Sequence, residues 1–467
     1  MTYNSSLSMN IKIGNLFKGD KVIWMVLLFL CIISIVEAFS ASSSLTYKSQ
    51  DYLGPIMGHS WKIFVGVAVA IVILNIPCRF FKLMTPALLL VSGVMLLWVL
   101  FFGEKTNDAG RWISLFGLKF QPSEIAKGTM VLVTAQILSA MQREEGADKR
   151  AFKFILMVVI PLVILIGLEN LSTAALIMVV IFLMMFIGRV PMVQLGKLMA
   201  GGVLLIILLV GTIYMVGSME SDNTAESQTE SLANGHTEKS TKKSPSFLHR
   251  FATWKGRIDK KLNSKYVAPQ DYDLDKDAQV AHANIAIVNS NIHGRGPGQS
   301  IERDFLPQAF SDFIFVIIIE ELGIVGATFV VFLYIVLLFR AARIASRCDN
   351  NFPAFLVLGL ALMLVIQASF NMMVAVGIAP VTGQPLPLIS RGGTSTIINC
   401  AYIGAILSVS RSAKKRGSNG DATCACCRLC DQGSAHPWLF SSAVETRQHR
   451  CGYRLSEEQV ASQEDVA

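Results

Sequence analysis

Runs of about 20 apolar residues recur along most of this chain, and a helix of that length is what crosses a hydrocarbon core of roughly 30 Å. Ten such stretches can be drawn: Val22 to Ala41, Ile63 to Cys78, Thr85 to Phe102, Ile125 to Met141, Phe154 to Leu168, Leu171 to Gly188, Leu198 to Val216, Phe313 to Leu338, Phe355 to Val376 and Thr394 to Val409. Glu169 and Asn170 alone separate the fifth from the sixth, which leaves a tight hairpin and one bent unit both open. The first run follows Lys12, Lys18 and Lys21 like a signal peptide, but it is too long for one and more helices follow. It is read as an uncleaved first span. With 52% hydrophobic and 16% charged residues and a mean hydropathy of +0.51, no water-soluble fold competes. The expected fold is an all-α polytopic membrane protein of about ten spans.

Lys and Arg near span ends are retained on the cytoplasmic side, and alternate loops obey that rule. The N-terminal tail, Arg79 with Lys82, the cluster from Arg143 to Lys153, Arg189 with Lys197, Arg340/Arg343/Arg347 and Arg411 to Arg416 fall on one side. Both termini are therefore placed in the cytoplasm. The net charge of +8 is spread between apolar runs and forms no single patch, so nucleic acid is not an expected partner. Cys31 and Cys400 lie inside apolar runs, Cys78 and Cys348 at their cytoplasmic ends, and none calls for a disulfide.

The membrane domain is bounded as Met1 to Arg416. Within it, Gly217 to Ser311 forms a long outward loop whose part from Ser218 to Ser246 is polar, poor in apolar residues and expected to be disordered. The later part holds a helix-compatible stretch, DAQVAHANIAIVNS, and a Gly-rich turn, HGRGPGQS. Gly417 to Ala467 is a separate cytoplasmic tail, also expected to be disordered. Its Cys424, Cys426, Cys427 and Cys430 have a spacing that can converge on zinc, but no second ligand pair accompanies them and an unstructured extension is preferred.

Three outward segments are more polar than a plain connection needs. The first, NDAGRWISLFGLKFQPSEIAK, enters the fourth span with Ser123 as a candidate helix cap; Glu124 and Lys127 share a helix face and can pair. The pair either makes a membrane entrance tolerable or belongs to a site. Swapping the two charges is expected to do less harm than neutralising either. In the second, Asp312 stands before an apolar run containing Glu320 and Glu321, the former about 12 Å deeper along a helix. The residues leave Asp312 open as a helix cap and as a group facing an external substrate. In the third, Pro380, Gly383, Pro385, Pro387, Gly392 and Gly393 forbid a regular helix; such backbone persists at membrane depth only when buried in protein or lining a wet cavity. A helix starting near Thr394 would aim free N–H groups at Gly392 and Gly393, a place for a phosphate, with Arg391 beside it.

These stretches, GRWISLFGLKFQPSEIAK, AQVAHANIAIVNSNIHGRGPGQS, FLPQAFSDFIFVIIIEELGIVGA and GIAPVTGQPLPLISRGGTS, resemble the SEDS family of peptidoglycan glycosyltransferases, most closely its cell-division branch. The resemblance spans most of Met1 to Arg416 and implies polymerisation of lipid II during septal wall synthesis. It puts the essential carboxylate at Asp312, as base for the acceptor hydroxyl. Arg111, Lys119, Lys127, Arg295 and Arg391 are the cations available for the diphosphate, and Glu124, Ser390, Gly392 and Gly393 complete the expected binding set. The family implies lipid II, a class B penicillin-binding protein transpeptidase and other division membrane proteins as partners, at the inner membrane. No metal-ligand set is read; a divalent cation, Mg or Mn, stays open as a cofactor. The chain departs from the family with Asn170 where Asp is usual, His282 where Gln is common and Arg391 where an aromatic is common. A lipid II flippase and a non-catalytic scaffold are the competing functions, and a base at the outer interface is what separates a polymerase from either.

Overall fold

The computed structural model describes residues 18–41, 54–106, 109–115, 118–144, 146–205, 207, 208, 210–212, 278–306 and 309–413. The chain divides into Met1–Lys414 and Lys415–Ala467, and the described residues all belong to the first unit. The Ser-rich insertion and the cysteine-containing tail lie outside the described residues.

Helices stand where the apolar runs were drawn. In chain order they are α1 (Lys21–Ser40), α2 (Gly54–Leu74), α3 (Cys78–Phe102), α4 (Pro122–Ala140), α5 (Lys149–Glu169), α6 (Leu171–Ile187), α7 (Met192–Thr212), α8 (Ala278–Asn289), α9 (Ile314–Ala345), α10 (Asn351–Ala375) and α11 (Thr394–Ser412). Seven of them, α1, α2, α3, α5, α7, α9 and α10, are long and apolar enough to cross a membrane, and α6 is a shorter apolar helix. The helices α4 and α11 are more polar because protein, not lipid, surrounds much of them. On α3, Leu83 and Phe101 are 72% and 74% exposed, side chains that only a lipid surround makes tolerable. The molecule is an all-α, multi-pass membrane protein.

The doubt over α5 and α6 resolves as a tight hairpin. Asn170 is extended (φ −151°), ends α5, and its side chain accepts from the amides of Ser172 and Thr173 to cap α6. A Cβ at Gly167 would lie 3.6 Å from that of Ala174, whereas seven residues of straight helix would separate them by about 10 Å. Between α3 and α4, where no strand was expected, Glu104–Thr106, Ala109–Leu115 and Leu118–Phe120 form a three-stranded antiparallel sheet. A two-residue strand pair, Gln142–Arg143 with Gly146–Ala147, joins α4 to α5.

Side-chain pairs order the helix ends. Asp20, ahead of α1, bonds Arg340 near the end of α9, while Ser40, ending α1, bonds Glu321 near the start of α9, so these two helices run antiparallel. Helices α2 and α11 run parallel and nearly touch: a Cβ on Gly66 would lie 2.9 Å from the Cys400 sulfur, and one on Gly404 would lie 2.6 Å from the Ala70 carbonyl oxygen. One end of the bundle thus gathers Asp20, Arg340, Asn75 and Arg411. The other gathers the end of α1, the starts of α9 and α11, and the irregular segment after α10.

Helix α9 is broken at Gly323 (φ 70°, ψ −172°), a conformation essentially confined to glycine. The break frees the carbonyls of Glu320 and Glu321, which accept from the amides of Arg295 and Gly296 at 2.9 Å each. Their carboxylates, expected to be costly within an apolar run, are fully buried and bound by the same loop. Glu321 accepts from Gly298 N, Ser300 N and the Ser40 hydroxyl, and Glu320 from Ile301 N and the Ser300 hydroxyl. A Cβ on Gly323 would sit 2.3 Å from the Ile292 carbonyl oxygen. Gly323→Ala should therefore cost several kcal/mol from strain and displacement together, seen as a sharply lower thermal midpoint of the detergent-solubilised protein. An unchanged midpoint would refute this account of the break.

Candidate active site

Two polar side chains one turn apart on α10, Gln367 and Asn371, face the irregular segment between α10 and α11. Gln367 donates to the Pro385 carbonyl at 3.1 Å, and Asn371 donates to the adjacent Gln384 carbonyl at 2.7 Å and to the Asp312 carbonyl at 2.9 Å. Consecutive carbonyls of an irregular strand, which no helix can satisfy, are thus met by side chains spaced i, i+4. From the far side the Gln384 amide reaches Thr173 at the start of α6.

Behind Gln367 lies the Glu124–Lys127 pair of α4, at 2.8 Å and with 2% and 0% exposure of the two residues. Lys127 also donates to Gln367 Oε1 at 2.7 Å, and Glu124 accepts from the Ser395 hydroxyl in the first turn of α11. The Tyr402 hydroxyl donates to the Glu124 carbonyl and accepts from Gly128 N, in a space that a Cβ at Gly128 would close, being 2.5 Å from the Tyr402 ring. The pair expected from the sequence is present, buried, and it ties α4, α10 and α11 together. Swapping its charges would turn a carboxylate toward Gln367 and draw that amide away from Pro385, so the tolerance expected for the swap does not follow from this geometry.

Asp312 is half-buried immediately ahead of α9. The cap position of that helix is Phe313, whose carbonyl takes the Val316 amide at 2.9 Å. Ser311 Oγ donates to Asp312 Oδ1 at 2.9 Å, and the Gly383 backbone passes close enough that a Cβ there would be 3.4 Å from Oδ2. Ser390 Oγ donates to the Ser311 carbonyl at 2.6 Å and accepts from Leu386 N at 2.7 Å. Arg391 N donates to the Phe310 carbonyl at 3.0 Å, and the Arg391 guanidinium lies 5.5 Å from the Phe310 ring centre. Partial burial draws that guanidinium below its ordinary pKa, yet an arginine stays charged. Helix α11 begins at Thr394 after Gly393 (φ 59°), as expected for an N-terminus opening beside Arg391 and Gly392.

The remaining expected residues divide. Arg111 and Lys119 are carried on the second and third strands of the sheet. Arg295 turns to Glu320, 3.8 Å away, and so belongs to the loop attachment. Ser123 does not cap α4; Gln121 takes that position, Pro122 opens the helix, and the Ser123 hydroxyl is buried with no hydrogen-bond partner among the described residues. His282 bonds Glu302 at 2.6 Å. A divalent cation would find Asp312 here, and among the described residues no group of three or more His, Cys, Asp or Glu side chains converges to hold one. Sequence reasoning missed Gln367, Asn371, Gln384 and Tyr402, and also Ser34 and His59, whose side chains bond each other at 2.9 Å while Ser34 donates to the Ile389 carbonyl at 2.7 Å. The available signal was polar residues at helical spacing inside apolar runs.

Residues 20–231 and 246–415 match the cell cycle protein family FTSW_RODA_SPOVE. The probable peptidoglycan glycosyltransferase FtsW of Hahella chejuensis is 30% identical over 397 residues, 83% of this chain and 88% of that protein. Peptidoglycan glycosyltransferase MrdB of Escherichia coli (strain K12) is 26% identical over 392 residues, 84% and 93% of the two chains. The fold resembles a chain from a study of structural coordination of polymerization and crosslinking by a peptidoglycan synthase complex, with a TM-score of 0.60, 23% identity and 84% and 98% coverage.

Removing one member of the buried pair should be worse than removing both charges. Lys127→Met leaves Glu124 buried and unpaired, a loss of about 3–5 kcal/mol, whereas Glu124→Gln with Lys127→Met should recover much of it. Thermal unfolding of the purified variants measures this, and a double variant no more stable than Lys127→Met would show that the pairing is not what Lys127 contributes.

Proposed function

This chain belongs to the FtsW/RodA/SpoVE family of cell cycle proteins, and from that premise we propose that it polymerises lipid II with Asp312 as the base. It is a peptidoglycan glycosyltransferase, and the names of its relatives favour the division septum. The single observation that carries the role of Asp312 is its setting. A half-buried carboxylate accepts from the Ser311 hydroxyl and lies against the Gly383 backbone, while Asn371 holds the Asp312 carbonyl and Ser390 the Ser311 carbonyl, beside the irregular segment that leads to Arg391 and the α11 N-terminus.

The chemistry needs little more. Asp312 accepts the proton of the acceptor sugar hydroxyl as that oxygen bonds to the donor anomeric carbon. The bond from that carbon to the diphosphate breaks, and undecaprenyl diphosphate leaves with the electron pair. A diphosphate departs without being protonated, so one carboxylate suffices where glycoside hydrolysis uses two. Arg391 and the first-turn amides of α11 face the developing charge, with Arg111 and Lys119 of the strands as further cations for the lipid-linked diphosphate. The chain is assigned to the inner membrane with both termini in the cytoplasm, which puts Asp312 outside. A class B transpeptidase is its expected partner, in keeping with the synthase complex whose chain it resembles.

Asp312→Asn preserves size and an acceptor for Ser311 but removes the base. Labelled lipid II given to the purified protein with its transpeptidase should be polymerised about 10² to 10⁴ times more slowly, with expression and partner binding near normal. Glycan synthesis close to the parent rate would return a flippase or a scaffold to the front.

A further inference from the structure

Asn371 joins two segments of the site through their main-chain carbonyls. It sits in the last turns of α10 with 1% exposure, and both hydrogens of its amide go to main-chain carbonyls of other segments: Asp312 at 2.9 Å and Gln384 at 2.7 Å. The orientation of the amide is fixed by chemistry, because a carbonyl oxygen only accepts and both neighbours are carbonyls. Its own oxygen is left without a hydrogen-bond partner among the described residues. An apolar residue of the same shape would leave both carbonyls without this donor, so the amide serves the join and not volume alone.

What the two bonds join is the segment carrying the base and the segment carrying its wall. Gln384 follows Gly383, whose backbone lies against Asp312 Oδ2, and Gln384 is held in turn by Thr173 of α6. Gly383 has φ 69° and faces the carboxylate without a side chain. One amide nitrogen thus bridges the Asp312 and Gln384 carbonyls, beside the Ser390–Ser311 and Arg391–Phe310 bonds between the same segments. Gln367, one turn back, holds the next carbonyl, Pro385, and is itself held by Lys127. The buried ion pair reaches the base segment through this α10 ladder.

We propose that Asn371 is a positioning residue of the glycosyltransferase: it ties the Asp312 and Gln384 carbonyls together and so aims the Asp312 carboxylate at the acceptor hydroxyl. This rests on Asp312 being the base. A displacement of the base by about 1 Å costs on the order of 10² in rate while leaving the binding of the large lipid-linked substrate nearly intact.

The test uses the full chain, purified with its transpeptidase, and lipid II as substrate. Asn371→Leu removes both bonds at similar volume, and kcat should fall about 10²-fold with KM changed by less than about threefold. Asn371→Asp keeps the shape and loses the amide donors; it should show the same split and serves if the leucine variant does not fold. Combined with Asp312→Asn, either change should cost less than about a further threefold, because a residue acting through the base has nothing left to position. A kcat within about threefold of the parent for a folded Asn371→Leu overturns the inference, as does a full multiplicative loss on the Asp312→Asn background or a failure of both variants to fold. Near-normal rates for Asp312→Asn alone would sink the base reading itself. A slow Asp312→Asn beside a normal Asn371→Leu would sink only the positioning role.

Discussion

A lysine with no exposed surface has no water to hydrate it, and Lys127 is held at the centre of the bundle by one carboxylate and one amide. Burying an ammonium is affordable only when each strong donor finds a partner, and that requirement propagates. Glu124 must stand one turn away on α4, Gln367 must point its oxygen back from α10, and the nitrogen of Gln367 is then turned toward Pro385. Glu124 in its turn receives Ser395 and so fixes where α11 begins. The Tyr402 hydroxyl reaches the same helix turn only because residue 128 is glycine. A single buried charge therefore dictates the side chains of three helices and the course of the segment between two of them.

The start of α9 meets the same constraint in the opposite way. Glu320 and Glu321 have guanidiniums near them, at 3.8 and 3.9 Å, but their closest partners are hydroxyls and main-chain amides. The loop from Gly294 to Ile301 wraps its N–H groups around the two carboxylates, which satisfies loop backbone and buried charge together. That wrapping needs two glycines at the crossing. A Cβ on Gly294 would meet the Glu321 carbonyl oxygen at 2.2 Å, and one on Gly323 would meet the Ile292 carbonyl oxygen at 2.3 Å. The loop from Gly294 to Ile301 is thus attached to the bundle one segment ahead of Asp312, at a break in the helix that Asp312 precedes.

How much of this the residues disclosed follows from which forces are local. Helix positions were legible because lipid imposes a length and a polarity on each span, while the ends moved: α2 starts at Gly54 and stops at Leu74, and Cys78 opens α3 ahead of Thr85. The Glu124–Lys127 pair was legible because three residues on one helix are a local spacing. The partners of that pair were not, since Gln367 and Ser395 lie 240 and 271 residues away from the atoms they bond. Likewise the approach of Arg295 to Glu320 joins residues far apart in the chain and could not be read from spacing. The three strands before α4 escaped notice because their pairing is set by the sheet they form together, not by an apolar alternation of their own.

The placement of Asp312 between the start of α9 and the Gly383 backbone bears most directly on mechanism. In this fold Phe313 occupies the cap position and supplies a carbonyl, while Asp312 is turned toward Ser311 and the Gly383 backbone. The other helix start at this end is arranged differently again: α11 opens from Gly393 with no side-chain cap, beside Arg391. Asp312 thus stands at one helix start and Arg391 at the other, and the irregular segment carrying Gly383 and Ser390 joins the two. The proposed base and the proposed anion site therefore share one stretch of main chain, which fixes the orientation of each to the other.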